Sequence, residues 1–142
     1  MRHAFLRGLG VLMLGLGCDT VELGSPPAGV NACRPSQRFF VDRVWPEFLA
    51  QTYGQRRCSD AGCHDGASPR QLSLPPPTSA PTLPLPADWV AVYTSTAEQV
   101  LCTNALASPL LVRPSSTDHG GTKLIEPQGP EALLVQMWVA AQ

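Results

Sequence analysis

Two thiols and an imidazole stand together in the run Cys58-Ser59-Asp60-Ala61-Gly62-Cys63-His64. That set suits three chemistries. Cys58 and Cys63 could add to the vinyl groups of a haem, with His64 reaching the iron from below the ring. The usual spacing for this is CxxCH, and here two further residues must bulge outward so that both sulfurs still address one ring edge. Gly62, with Ser59 and Asp60, makes such a bulge sterically inexpensive. Alternatively, the cysteines could close a local disulfide and leave His64 exposed. Zinc is the third chemistry, but thiolates outside the cytosol are usually oxidised and no fourth ligand stands at a standard spacing.

Which of these applies depends on compartment, and the N-terminus reads as an export signal. Arg2, His3 and Arg7 form a basic start, and the uncharged run Gly8 to Gly17 has the length of a signal core, well short of the ~20 residues that span a bilayer. It ends Leu14-Gly15-Leu16-Gly17-Cys18, which resembles a bacterial lipobox, although Gly15 stands where an aliphatic residue is usual. The expected organisation is a signal peptide over 1–17, a lipid-anchored tether over 18–35 and one domain over 36–142. Acylation at Cys18 would hold the protein on a membrane without crossing it, as an exported periplasmic or outer-membrane-associated lipoprotein.

Export also sets the cysteine arithmetic. Beyond Cys18 the chain has Cys33, Cys58, Cys63 and Cys102. If haem thioethers consume Cys58 and Cys63, then Cys33 and Cys102 can pair as a disulfide with no thiol left over.

The domain that must position these groups is small. The chain has 142 residues, 44% of them hydrophobic, with 15 prolines, about twice average usage. Long loops therefore separate a few short elements. From Cys18 onward eight basic side chains face eleven acidic ones, a net −3, which excludes a nucleic-acid surface. A first helix is expected from Ser36 to about Tyr53, with Phe40, Val44 and Phe48 on one face, and Pro46 must kink or divide it. Residues 72–87 are too proline-rich for regular structure and should wrap the domain as a loop. Asp88 should cap a second helix reaching about Leu101. Residues 108–129 read as loop, and Pro130-Glu131 opens a last helix to about Ala141. Trp45, Trp89 and Trp138 would close the core with or without a cofactor.

Taken in order, several pieces resemble a known family. They are Phe40 and Val44-Trp45-Pro46, the run CSDAGCHDG from Cys58 to Gly66, and Leu72-Ser73-Leu74. Ser108 to Pro114, His119-Gly120-Gly121 and the terminal helix with Trp138-Val139 follow. Together, over roughly 38–142, the chain is similar to the small haem-c domains of exported myxobacterial and planctomycete proteins. The resemblance implies an all-α, class-I cytochrome c-like fold of three to four short helices, first and last packed together, around one covalent haem c. It implies single-electron transfer between periplasmic redox proteins, with both axial positions filled and hence no enzyme activity. His64 would be the proximal ligand. The distal ligand would come from the loop before the last helix, where simple class-I cytochromes place a methionine. No methionine stands there; the loop instead holds His119, 19 residues before Trp138 and followed by two glycines. His119 is therefore the distal candidate, and Met137, inside an apolar helix, is read as core. The competing expectation is a haem-free, disulfide-stabilised lipoprotein domain with a structural or binding role.

Overall fold

The computed structural model of the protein describes residues 34–66, 71–119 and 121–141. The signal segment, Cys18, Cys33 and most of the tether lie outside them.

Helix α1 begins at Gln37, where Ser36 Oγ accepts from the Phe39 N–H at 3.2 Å, the cap expected of that serine. Its first turn, Gln37–Phe39, is α-helical. Its body, Phe40–Leu49, winds in the wider i→i+5 register and is closed by the Ala50 N–H donating to Trp45 O at 2.9 Å. Pro46 lies inside this body, which is not divided there. Proline has no N–H, so the i→i+5 ladder lacks one donor at that position, while the clash with the carbonyl four residues back belongs to the tighter i→i+4 register.

The chain leaves α1 at Leu49, short of Tyr53, because Thr52 and Tyr53 enter a hairpin instead. Strand β1 (Thr52–Tyr53) pairs antiparallel with β2 (Arg56–Arg57), Thr52 opposite Arg57 and Tyr53 opposite Arg56. Gly54 has φ +64° and Gln55 does not have positive φ, the pattern of a type II′ turn, whose twist suits a two-residue hairpin loop. This hairpin corrects the expected all-α, class-I cytochrome c-like architecture. The described chain combines helices with a small two-stranded antiparallel sheet. The physical cause is local: β-forming Thr52 and Tyr53 precede a glycine that can turn the chain back at once.

Helix α2 (Ala87–Ala97) has Pro86 at its cap position, so Asp88 lies in the first turn rather than at the cap, and it ends four residues before Leu101. A single 3₁₀ turn, Ala105–Ala107, precedes α3 (Pro109–Val112), a short helix inside the segment expected to be loop. Proline at its first position is favourable helix-start chemistry. Helix α4 (Pro130–Ala140) matches the expected last helix.

The core lies where α1 and α4 meet. Phe40 and Trp138 are fully buried with ring centroids 5.8 Å apart, and Tyr93 of α2 stands edge-on to Phe40 at 5.6 Å. Trp45 meets Trp89 edge-on at 4.7 Å. Polar ends of these rings are satisfied by backbone, Trp138 Nε1 donating to Ser36 O at 2.9 Å and Trp45 Nε1 to Ser79 O at 3.0 Å. The second bond pins the proline-rich loop against α1, and Leu74 of that loop is buried with the core. Among the described residues no helix is long and apolar enough to cross a membrane.

Candidate functional site

The hairpin delivers Cys58 directly from β2. From there two successive turns, both hinged on Asp60, carry the chain to Cys63. Asp60 Oδ2 accepts from the Arg57 N–H at 2.8 Å while its own N–H donates to Arg57 O at 3.2 Å, and the Cys63 N–H donates to Asp60 O at 2.9 Å. Gly62 takes φ +77°, the left-handed conformation that permits the second turn. The His64 N–H then reaches back to Cys58 O at 3.0 Å. Folded this way, the four residues between the cysteines are absorbed in a compact bulge.

His64 is gripped from the other side by the start of the proline-rich loop. Its Nδ1 lies 2.8 Å from Leu72 O, and its carbonyl accepts from the Leu74 N–H at 2.6 Å. A carbonyl can only accept, so Nδ1 donates to Leu72 O. This is the arrangement that orients an imidazole as a metal ligand. Gly66, at φ +79°, keeps the crossing open, since a Cβ there would stand 3.1 Å from Ser73 Oγ.

His119 comes from the segment after α3, and its ring centroid lies 5.8 Å from that of His64 with the planes 20° apart. Two cavities share Cys58, His64 and His119 as walls. The larger, about 330 Å³, is otherwise lined mainly by Phe48, Leu49, Leu72 and Leu110, with Gln71, Gln99 and Arg113 as its polar members. The smaller, about 260 Å³, is lined by Arg56, Arg57, Ala61, Gly62, Cys63 and Leu124 besides the shared three. Pockets of this size hold small organic groups. Met137 packs against the core and lines neither cavity.

Cys58 and Cys63 are free thiols. Burial, reinforced by Cys63, pushes the Cys58 thiol up to about 11, so it is neutral near pH 7 and is not set up as a nucleophile or as a thiolate ligand. Tyr53, on β1, is pushed well above the usual phenol range by burial and then by Glu131, and its hydroxyl donates to Phe48 O at 3.1 Å. Among the described residues no three His, Cys, Asp or Glu side chains are placed to hold a bare metal ion. A histidine pair alone is too few ligands, and a macrocycle that brings its own donors would complete the set.

Of the residues singled out in the sequence, Cys58, Cys63, His64 and His119 are thus brought together around these cavities. Cys102 is disulfide-bonded, while Cys33, its expected partner, lies outside the described residues, as does the acylation candidate Cys18. Sequence reasoning missed Gln99, Arg113 and the Leu72 carbonyl. Nothing in residue type marks a carbonyl eight positions away, and Arg113 was visible only as one letter in the Ser108–Pro114 run. Compared with family models, curated proteins and solved structures, the chain matches none.

Proposed function

We propose that the domain carries one covalent haem c and transfers single electrons between exported redox proteins. The observation that carries this reading is the approach of His64 and His119, whose rings lie 5.8 Å apart with planes 20° apart and which, with Cys58, wall the same two cavities. Cys58 and Cys63 would tether the group through thioethers. His64, held by Leu72 O, and His119 would hold its iron through their imidazoles, and the leucines and Phe48 would exclude water from it. When bound, haem supplies a reversible one-electron iron couple. With His64 and His119 both engaged in holding it, the group would have no place for a substrate, which favours carriage of electrons over catalysis.

Acylation of Cys18 would keep the domain at a membrane surface, within reach of periplasmic partners. A Cys33–Cys102 disulfide would close a loop of about 70 residues and contribute roughly 4 kcal/mol in the chain-entropy account. The reading is tested by intact mass of the chain produced in a host with cytochrome c maturation. One haem added to the polypeptide, with a Soret band that survives acid-acetone extraction, is the expected result. A mass lowered only by protons lost to disulfides would leave a haem-free stapled domain in its place.

A further inference from the structure

We propose that Gln99 and Arg113 form a carboxylate-binding end of the larger cavity, an inference that rests on the haem reading and assigns them to a haem propionate. Gln99 is 9% exposed, yet its side chain makes no hydrogen bond to a described residue. No fully enclosed side-chain nitrogen or oxygen among the described residues lacks a partner. The Gln99 amide therefore remains accessible, and Gln99 is a wall of this cavity. Its backbone is fixed there, since Gln99 O accepts from the Leu110 N–H at 3.0 Å and ties the end of α2 to α3. An amide held there without a protein partner has its hydrogen-bonding capacity left over for whatever occupies the cavity.

Arg113 follows α3 on the same cavity wall. Among the described residues the ion pairs are Arg38–Asp42, Arg43–Glu47 and Lys123–Glu126, so Arg113 has no carboxylate of its own. Arg113 is exposed and Gln99 nearly buried, so an amide donor and a guanidinium stand on the wall of one cavity at its solvent side, a recognition set for a carboxylate attached to a largely apolar body. That describes the propionate edge of a haem, and the smaller cavity, which holds Cys63, would then take the thioether edge.

The test is redox potentiometry of the matured full-length protein with Arg113→Gln, Arg113→Lys and Gln99→Leu. A cation beside the haem disfavours the ferric state, so Arg113→Gln should lower the midpoint potential and Gln99→Leu should lower it less. Arg113→Lys should restore most of the wild-type value, and all three should keep the low-spin spectrum of the wild type. Covalent haem with unchanged potentials in Arg113→Gln and Gln99→Leu overturns the inference and leaves the haem reading standing. Loss of the low-spin spectrum even in Arg113→Lys also overturns it, because Arg113 would then be structural. A wild-type chain that attaches no haem removes both.

Discussion

The helical core and the Cys58–His119 region are held together by different means. Around α1, α2 and α4 the contacts are side chain on side chain: Phe40, Val44, Val135 and Trp138 have no exposed surface, and rings meet edge to face. Around Cys58 and His64 the contacts are mainly backbone turns, with Asp60 and Leu72 O as acceptors, and the side chains that matter are only half-buried. The first region gains its free energy from apolar burial, at about 1.5–3 kcal/mol for each large side chain. The second gains little from burial and keeps two cavities open. The contrast teaches that stability and site geometry are separable here, and substitutions should sort accordingly.

The largest effect should follow Trp138→Ala. It opens a cavity at the α1–α4 contact and removes the indole bond to Ser36 O, so a loss of about 3–5 kcal/mol is expected. Urea unfolding of the domain should show it as a lower midpoint with unchanged slope, and haem incorporation should fall with the fold. Next comes Ser108→Ala. Ser108 is fully buried between the 3₁₀ turn and α3, and its Oγ accepts from the Leu101 N–H at 2.9 Å. Removing that acceptor should cost about 1–3 kcal/mol. A loss below a few tenths would mean that solvent reaches Leu101 and that this joint belongs with the softer region.

Gly62→Ala probes the softer region directly. Nothing lies within 4 Å of the added Cβ, so the whole cost is the left-handed backbone at φ +77°, about 1–2 kcal/mol. Because Gly62 sits inside the bulge between the two thiols, the variant should retain a folded core while the yield of doubly attached haem drops. Equal losses of core stability and attachment would erase the distinction between the regions.

The same division governs what could be read from sequence. The α4 start at Pro130, the Ser36 cap and the inward positions Phe40, Val44 and Phe48 were legible because burial and capping depend on residue type and spacing. The hairpin was not, although Gly54-Gln55 between Tyr53 and Arg56 carried a turn signal, because Tyr53 also extended the helical pattern of α1. Helix α3 hid for a related reason, since Ser108-Pro109 opens a helix as readily as it continues a loop. The wide register of α1 is a property of backbone hydrogen bonds that no side-chain spacing encodes. At the site, Cys58, Cys63 and His64 announced themselves by chemistry and spacing, and His119 only through the family resemblance. Gln99 did not, because a glutamine just past a helix is ordinary until its burial and missing partner are known.

His119→Ala should have the smallest effect on the fold and the sharpest on the site. His119 lies outside the aromatic core, after α3, where its backbone is held by a 3.4 Å bond to Ser116 O that alanine retains. The stability cost should stay under about 1 kcal/mol, as for substitutions away from packed positions. His64 and both thiols are untouched, so on the haem reading the group should attach with the wild-type mass. What changes is the ligand that His119 would supply. With one imidazole gone, water or carbon monoxide should bind the iron, the low-spin ferric spectrum should give way to a high-spin one, and carbon monoxide affinity should rise. Because a methionine ligand raises the haem potential relative to histidine, His119→Met should instead retain low spin and shift the potential upward. An unchanged spectrum in His119→Ala would show that the 5.8 Å pairing of rings is not a ligand pair. Met137 would then be the next ligand to remove, and as it packs against the core, its loss would register in stability as well as in the spectrum.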